Sequence, residues 1–325
     1  MQSVISLIIP CYNEEESLRM FYKELRQTSD SMEERYGVGF EFVFIDDGSR
    51  DHTLAMLREM ADNDRRVSYI SLSRNFGKEA AIYAGLNNCI GEYIAVMDAD
   101  LQHPPSMLPA MYEGIVNENF DCVAARRASR KGEPPLRSFL TRCFYRIINS
   151  ISRTKMVDGA TDFVMMTRQV VEAILNIPEY NRFFKGIYSW VGFETKWLPY
   201  QNVKRVAGAT KWSFSNLFFY SIDGVVSFST APLAISSVMG ALLCIVALVN
   251  ICVVIIKTLL YGDPVAGFPT LICAICFIGG IQLLYLGIMG QYVAKMYMEV
   301  KRRPVYLEKE KRLGRLYEEK TDVQK

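Results

Sequence analysis

Residues 93–100 read Tyr-Ile-Ala-Val-Met-Asp-Ala-Asp, and this stretch decides the fold. An apolar, β-rich run ends there in two carboxylates, Asp98 and Asp100. At a separation of ~5 Å and an effective dielectric of ~20, two carboxylates repel each other by roughly 3 kcal/mol. A divalent cation reverses that sign, and Mg²⁺ or Mn²⁺ is commonly shared between carboxylates and substrate phosphates. The stretch therefore predicts a metal-bound nucleotide diphosphate at a strand end, with a solvated turn before the helix near Pro104 as the alternative.

Around this strand, β-rich runs alternate with helix-like stretches. The β-rich runs cover residues 4–10, 40–46, 67–73, 93–98 and 121–125, and the helix-like stretches cover 15–36, 53–62, 78–89 and 106–117. Repeated βα units predict an α/β fold, in which helices cover a mainly parallel sheet. Polar groups follow each predicted strand, and open α/β sheets bind ligands at the carboxyl ends of their strands. We therefore expect a binding site at that edge.

Charge balance and composition exclude several classes of protein. Lys plus Arg number 37 and Asp plus Glu number 35, so a net charge of +2 gives no global field for nucleic acid. The eight cysteines show no redox or zinc spacing that their context supports, and those of the amino-terminal part fit a reducing cytosol. With two histidines, a His-based zinc site or a Ser-His-Asp triad is not expected. No Gly-x-Gly-x-x-Gly follows the first strand, which disfavours a dinucleotide-dependent oxidoreductase.

Two charge-free runs predict a membrane hairpin. Residues 224–256 and 264–294 contain no charged side chain, and each run exceeds the ~20 residues needed to cross ~30 Å of hydrocarbon. We place the spans at about 230–260 and 268–296. Basic residues concentrate after the second span, so the positive-inside rule places both termini in the cytoplasm. The amino terminus lacks the pattern of a signal peptide.

The predicted domain organisation has four parts. Residues 1–212 form a cytoplasmic α/β domain, and residues 213–228 form an aromatic, apolar helix at the membrane surface. A buried helix of the soluble domain is the alternative for that segment. Residues 229–296 hold the two transmembrane helices. Residues 297–325 are a charged cytoplasmic tail, which we expect to be a solvated helix.

Three motifs together resemble those of family 2 glycosyltransferases. They are Pro-x-Tyr-Asn-Glu at 10–14, Asp-Asp-Gly-Ser-x-Asp-x-Thr at 46–53 and Asp-Ala-Asp-x-Gln at 98–102. With two carboxyl-terminal spans, the chain resembles the polyisoprenyl-phosphate glycosyltransferases, the dolichol-phosphate mannose synthase-like enzymes that include the bacterial bactoprenol glucosyltransferases. The likeness implies a GT-A fold, which is Rossmann-like with a mainly parallel sheet, followed by the transmembrane hairpin.

The resemblance implies roles on the donor side. Pro10, Tyr12 and Glu14 would line the nucleotide, and Asp47 would accept a hydrogen bond from the base, with Asp46 close by. Taken alone, the Asp-Asp-Gly-Ser segment would suit a turn and helix cap equally well.

By the same resemblance, Asp98 and Asp100 would hold Mg²⁺ or Mn²⁺ against the diphosphate, and Gln102 would complete the shell. The ion would stabilise charge that grows on the departing diphosphate.

The acceptor that the resemblance implies is a lipid phosphate. A phosphate monoester has a second pKa of ~6, so its oxygen is mostly ionised at neutral pH. The enzyme must then overcome repulsion between two phosphorylated substrates, which calls for cations. By resemblance, Arg126 and Arg137 contact the lipid phosphate with Thr141 one turn on, and Arg205 and Lys211 add charge near the membrane. The alternative is that these residues only face anionic headgroups.

Asp162 is the candidate for the acid beside the sugar. It would act as a general base or bind a sugar hydroxyl, and the ionised acceptor favours orientation over proton transfer. Relatives often have Gly directly before this acid, whereas this chain has Thr161, so the choice between Asp158 and Asp162 stays open. Arg74, Asn75 and Lys78 either face the nucleotide or only begin a helix.

The sequence thus predicts a metal-dependent, inverting hexosyltransferase in which Asp162, Asp100 and Arg126 are catalytic. The expected donor is a UDP-sugar, UDP-glucose or UDP-N-acetylglucosamine, and the acceptor is undecaprenyl phosphate in the bacterial inner membrane. Membrane lipids are further partners, nucleic acid is not, and a homo-oligomer is left open. The alternative is a noncatalytic membrane scaffold or lipid-carrier binding protein. A processive polysaccharide synthase is disfavoured because no Gln-x-x-Arg-Trp motif occurs.

Overall fold

A computed structural model describes residues 3–128, 149, 157, 159–177, 179–200 and 267–314, together with isolated positions between 233 and 260. Its strands are β1 (Val4–Cys11), β2 (Gly39–Asp46), β3 (Val67–Leu72), β4 (Tyr93–Val96), β5 (Cys122–Arg127), β6 (Ala160–Thr167), β7 (Thr195–Tyr200) and β8 (Glu308–Arg312). Its helices are α1 (Leu18–Tyr36), α2 (Thr53–Asn63), α3 (Lys78–Asn88), α4 (Leu108–Val116), α5 (Arg168–Leu175), α6 (Phe184–Trp190) and α7 (Phe268–Val300).

All eight described strands form one sheet in the order β7-β5-β6-β4-β1-β2-β3-β8. The pairs β1·β2, β1·β4, β2·β3 and β5·β7 are parallel. Strand β6 runs antiparallel to β4 and β5, and β8 runs antiparallel to β3. The predicted α/β fold with a mainly parallel sheet is confirmed. The prediction did not include antiparallel pairs, which are formed by β6, lying between β4 and β5, and by β8, lying beside β3.

Helices cover both faces of the sheet, which explains why most side chains of its central strands are apolar. On one face, alternate residues such as Leu7 and Phe42 pack against Phe21 of α1 and Leu57 of α2. On the other face, Ile8 and its neighbours pack against α3, α5 and α6. The carboxyl ends of β1, β2, β3 and β4 therefore share one edge, because these strands are parallel.

Gly85 brings α3 unusually close to the sheet. A Cβ atom at this position would lie 2.3 Å from Cγ2 of Ile8 and 2.8 Å from Cδ1 of Ile45. Glycine is therefore required for this close approach of helix to strand. The contact holds the amino terminus of α3, where Lys78 lies, next to the strand ends.

The carboxyl-terminal part contains a long helix and a returning strand. Within α7, residues Phe277–Val300 are long and apolar enough to cross a membrane by length and composition, and their apolar window is not buried. The described positions between 233 and 260 are also helical, whereas most of the first predicted span and the 213–228 helix lie outside the described residues. The solvated helix predicted for the tail is wrong over Glu308–Arg312, which form β8.

Candidate active site

The strands β4 and β6 bring two acids to the same edge of the sheet. They run antiparallel with Val96 opposite Val164. If this register continues for two residues, Asp98 beyond the end of β4 lies opposite Asp162 near the start of β6. Thr161, whose hydroxyl donates to the carbonyl of Ala125 at 3.0 Å, fastens the start of β6 to β5. An antiparallel strand thus delivers its amino-terminal acid to the carboxyl-terminal edge of a parallel sheet.

A cluster of side chains that could bind a metal ion follows β4. One ligand atom from each of Asp98, Asp100 and His103 lies within 4.8 Å of the other two. Leu101 between them has a φ of 59°, and the N–H of Gln102 donates to Oδ1 of Asp100 at 3.0 Å. This left-handed turn folds His103 back toward the acids. Two carboxylates and an imidazole can together coordinate a divalent transition metal such as Mn²⁺.

His103 itself indicates that the cluster binds something. The residue is 4% exposed, and its ring packs between Phe163 and Tyr200, with ring centroids 5.6 and 5.5 Å away. Within the described part of the chain, neither ring nitrogen has a hydrogen-bond partner, and Nδ1 lies 3.9 Å from Oδ2 of Asp98. Burial lowers the pKa of His103, which keeps the imidazole neutral and able to ligate a metal. The residues present therefore fit a divalent cation.

Two lysines form ion pairs with Asp98 and Asp162. The ammonium group of Lys78 lies 2.5 Å from Oδ1 of Asp98 and 2.6 Å from Oδ2 of Asp162. Lys185 of α6 lies 3.6 Å from Oδ1 of Asp162. Burial raises the pKa of Asp162, but Lys185 and Lys78 outweigh it and hold the pKa well below its usual range. Asp162 is thus held as a carboxylate.

Hydrogen bonds join the loop that follows β1 to the loop that follows β2. Asn13 adopts a φ of 54°, its N–H donates to Oγ of Ser49 at 3.0 Å, and its side-chain oxygen accepts the N–H of Arg50 at 2.9 Å. The N–H of Glu14 donates to Oγ1 of Thr53 at 2.9 Å. The first two motifs therefore form one surface beside the acids, rather than two separate turns.

Asp46 and Asp47 are both buried and both bind local donors. Asp46 accepts the N–H of Ser49 at 3.0 Å and the hydroxyl of Ser71 at 2.8 Å. Asp47 accepts the N–H groups of Phe76 and Gly77 at 2.7 and 2.9 Å. Burial raises the pKa of Asp47 to about 6, although those two N–H groups oppose the shift. The carboxylates of Asp46 and Asp47 therefore stabilise turns, as the alternative interpretation of this segment predicted.

Gly48 makes this arrangement possible. It has a φ of +68°, and a Cβ atom here would lie 2.5 Å from the carbonyl carbon of Arg74 and 2.7 Å from the backbone nitrogen of Asn75. The loop after β3 can pack on the loop after β2 only because this position is glycine.

The other predicted donor and acceptor residues are placed as follows. Pro10 pairs with Ile45 in the β1·β2 register, Tyr12 is half-buried, and Glu14 accepts the hydroxyl of Ser17 at 2.7 Å. Arg126, one residue before the end of β5, pairs with Ala160 at the start of the strand that carries Asp162.

Five predicted residues lie outside the described residues, namely Arg137, Thr141, Asp158, Arg205 and Lys211. The structure therefore describes the residues predicted for the donor side, whereas most of those predicted for the acceptor side lie outside the described residues.

Sequence reasoning missed His103 and Lys185 and left Lys78 undecided. The signal for His103 was its position three residues after Asp100, on the same loop. Lys185 offered no local signal, because it reaches Asp162 only through the packing of α6 against the sheet.

Comparison with known proteins finds a family and several close relatives. Glycosyl transferase family 2 matches residues 6–175. A relative from Bacillus subtilis (strain 168), named as the glycosyltransferase CsbB, is 44% identical over 309 residues, which cover 95% of this chain and 92% of the relative. The SfII prophage-derived bactoprenol glucosyl transferase of Shigella flexneri is 38% identical over 310 residues, covering 95% and 99%.

Among solved structures, glucosyl-3-phosphoglycerate synthase from Mycobacterium tuberculosis, in complex with Mn²⁺, UDP and phosphoglyceric acid, matches with a TM-score of 0.45. It is 16% identical and covers 69% of this chain and 76% of that one. At this distance it assigns no residue role here.

Proposed function

This chain belongs to glycosyl transferase family 2, and from that premise we propose that it transfers a hexose from a UDP-sugar to a polyprenyl phosphate with inversion. The observation that carries the proposal is the joint placement of Asp98, Asp100 and His103 beside Asp162. Relatives named as bactoprenol glucosyl transferases are 38% identical to this chain over 95% of its length. They support glucose as the first sugar to test and undecaprenyl phosphate as the acceptor.

Asp98, Asp100 and His103 would hold a divalent cation, and Gln102 is proposed as a further ligand. Mg²⁺ and Mn²⁺ both bind carboxylate oxygens, and the imidazole favours Mn²⁺ of the two. When bound, such an ion supplies positive charge for the departing diphosphate. The protein's own part is to fix these ligands on the turn around Leu101.

The donor nucleotide would lie over the joined loops after β1 and β2. Pro10, Tyr12 and Glu14 contribute the first loop, and Asp47 of the second is proposed to accept a hydrogen bond from the base. Its carboxylate oxygens already receive two backbone N–H groups, which orient it. A carboxylate offers about four lone-pair sites, so an additional donor is compatible with these bonds.

In the proposed reaction an oxygen of the lipid phosphate attacks the anomeric carbon of the sugar. The new carbon–oxygen bond forms as the bond to the diphosphate oxygen breaks, and the electron pair leaves with UDP. Attack from the side opposite the leaving group inverts the configuration. Arg126, Arg137, Thr141, Arg205 and Lys211 are proposed to hold the lipid phosphate, because two anionic substrates must approach each other.

Asp162 is proposed to orient the sugar rather than to remove a proton. The acceptor oxygen is mostly ionised at neutral pH, so it needs little help from a base. A carboxylate held by two ammonium groups is also a weak base, since its pKa is well below the usual range. It keeps its charge and can accept a hydrogen bond from a sugar hydroxyl.

Chain topology supports the proposed membrane hairpin. Strand β8 follows α7 but joins the same sheet as β1–β3, which precede it. If α7 crosses the bilayer, the chain must cross it a second time between Tyr200 and Gly267. The charge-free run at 224–256 is long enough for that crossing. We therefore propose an inner-membrane protein with its catalytic domain and both ends in the cytoplasm.

A screen of UDP-sugars against a short polyprenyl phosphate tests the proposal. The full chain in detergent or nanodiscs is incubated with Mn²⁺ or Mg²⁺ and each donor, and products are identified by mass spectrometry. The expected result is one polyprenyl-phosphate hexose formed for each UDP released. A noncatalytic scaffold or lipid-carrier binding protein would bind the lipid but release no UDP with any donor.

A further inference from the structure

Glu299, in the last turn of α7, binds a loop of the catalytic domain. Its two carboxylate oxygens accept the N–H of Tyr180 at 2.9 and 3.0 Å and the N–H of Asn181 at 3.0 Å. The side-chain amide of Asn181 adds contacts to Glu299 at 3.1 Å and to the carbonyl oxygen of Lys295 at 3.5 Å. One acid therefore satisfies three donors of a single loop.

The position of Glu299 in its helix is otherwise unfavourable. It lies in the last turn of α7, where the helix dipole disfavours negative charge. The N–H groups of Tyr180 and Asn181 offset this, because hydrogen bonds to a charged acceptor are stronger than neutral ones. The Glu299 side chain thus stabilises the contact with the catalytic domain and does not stabilise the helix itself.

The loop held by Glu299 leads directly to the active site. Arg182 follows, and its guanidinium donates to the carbonyls of Ile177 and Ile174 at 2.8 and 3.2 Å while lying over the Tyr83 ring. These contacts hold Arg182 against the carboxyl-terminal end of α5 and against α3. Any displacement at Glu299 would therefore be passed on to the start of α6.

The start of α6 is in turn fixed to the acids. The N–H of Phe184 donates to Oε2 of Glu79 at 2.7 Å, and the next residue, Lys185, lies 3.6 Å from Oδ1 of Asp162. A continuous set of contacts therefore runs from the end of the long helix to the acid proposed to hold the sugar.

We propose that Glu299 is a positioning residue that sets α6, and with it Lys185 and Asp162, relative to the membrane helix. The inference rests on the proposed function, because the acceptor lipid reaches the site from the bilayer that α7 would occupy. Binding of the UDP part of the donor depends instead on the loops after β1, β2 and β4. Loss of Glu299 should therefore weaken transfer to the lipid acceptor more than binding of UDP.

The kinetic test compares Glu299→Ala, Glu299→Gln and the matched control Glu310→Gln in the full chain in nanodiscs. Glu310 is also an acid of the carboxyl-terminal part, but it binds Arg58 and Tyr69 at the far edge of the sheet. With UDP-glucose and a short polyprenyl phosphate, Glu299→Ala should lower kcat/KM for the lipid about tenfold or more, as expected for lost bonds to a charged group. UDP affinity should stay within about twofold.

The remaining variants sharpen that comparison. Glu299→Gln keeps one oxygen that accepts an N–H, so it should recover part of the loss. Glu310→Gln should leave the lipid kinetics unchanged. If Glu299→Ala lost UDP affinity and kcat/KM for the lipid by the same factor, the proposal would be overturned, because a purely structural tether would produce equal losses. No loss in kcat/KM for the lipid would overturn it as well.

Hydrogen–deuterium exchange provides a readout that does not depend on activity. Glu299→Ala should speed exchange at residues 180 and 181 and also in α6, whereas Glu310→Gln should affect neither. Acceleration confined to 180 and 181 would refute the positioning role. Acceleration that reaches α6 in a protein whose wild type makes no polyprenyl product would refute the proposed function alone and leave this positioning role supported.

Discussion

At the scale of single residues, the charge state of Asp162 defines what this acid can do. Its carboxylate touches Lys78 and Lys185, which hold the pKa well below its usual range although burial opposes them. A depressed pKa means that the charged form persists at every pH above the usual aspartate range. Asp162 is therefore not expected to titrate during turnover at neutral pH.

Replacing Asp162 with Asn should lower kcat about a hundredfold or more, because the sugar loses a charged acceptor. Between pH 6 and 8, kcat of the wild type should show no titration attributable to Asp162. Measuring kcat of hexose transfer across this pH range, for the wild type and for Asp162→Asn, checks both expectations. UDP affinity is the control. A pH–rate profile with an acid limb near neutrality that disappears in Asp162→Asn would instead identify a general base.

Asp47 should make donor binding depend on pH. Burial raises its pKa to about 6, so the carboxyl group takes up a proton as the pH falls through that value. If Asp47 accepts a hydrogen bond from the base, UDP affinity should be about tenfold weaker at pH 5 than at pH 7. Calorimetric titrations of UDP at these pH values measure the effect. Asp47→Asn should remove this pH dependence, and an unchanged dependence would assign it to another group.

The same shift has a defined sign for stability. Between about pH 4 and pH 6, the folded protein binds more protons at Asp47 than the unfolded chain does, since unfolded aspartate titrates near 3.9. The contribution of Asp47 to the free energy of unfolding therefore falls as the pH rises through that window. A buried acid kept at this position despite such a penalty is consistent with a binding role.

Single-residue chemistry was partly visible in the sequence. Asp98 and Asp100 are adjacent to a recognisable strand, so their position at the sheet edge followed from the β-rich run before them. His103 was not predicted, because its approach depends on the left-handed conformation of Leu101. The contact of Lys185 with Asp162 depends on tertiary packing that no local pattern encodes.

At the scale of elements, β8 is the strand that the sequence pattern does not predict, since a solvated helix was expected there. Its residues are Glu-Lys-Glu-Lys-Arg, which show no alternation of apolar and polar side chains. An edge strand needs no such alternation when charged side chains bind its neighbours, and β8 does so through Lys311 to Asn88 at 2.6 Å. Its partner strand β3 lies more than 200 residues away, so no local signal marks the pairing. Strands β1 to β5 were predictable because apolar runs and turn signals bound them.

Removing β8 should destabilise the sheet. A chain that ends after Tyr306 loses the strand, the bond from the N–H of Ser73 to the carbonyl of Leu307 and the bond from the N–H of Gly314 to Oγ of Ser68. We expect its Tm to fall by about 4 °C or more and β3 to become an exposed edge prone to aggregation. A chain that ends after Gly314 is the matched control. Equal melting curves would show that β8 adds nothing to stability.

At the scale of the whole molecule, the sheet and the long helix together constrain how the chain meets a membrane. Because β8 returns to the sheet that contains β1, both ends of the described chain lie on one side of any bilayer that α7 crosses. The apolar runs predicted this arrangement from composition, and the strand pairing supports it from an independent direction.

Reporter fusions test this topology. Green fluorescent protein at either end of the chain should fluoresce, whereas alkaline phosphatase inserted at residue 263 should be active, because the proposed hairpin loop faces the periplasm. Fluorescence of the amino-terminal fusion without fluorescence of the carboxyl-terminal fusion would mean an odd number of crossings. That outcome is incompatible with the pairing of β8 with β3.

The most direct test of the site as a whole is binding of Mn²⁺ in the presence of UDP, followed by electron paramagnetic resonance. Wild-type protein should bind one Mn²⁺ per chain together with UDP, through Asp98, Asp100 and His103. Asp100→Ala should bind it at least about tenfold more weakly and transfer no hexose, while its melting temperature stays close to that of the wild type. Unchanged Mn²⁺ affinity and full turnover in Asp100→Ala would contradict the account.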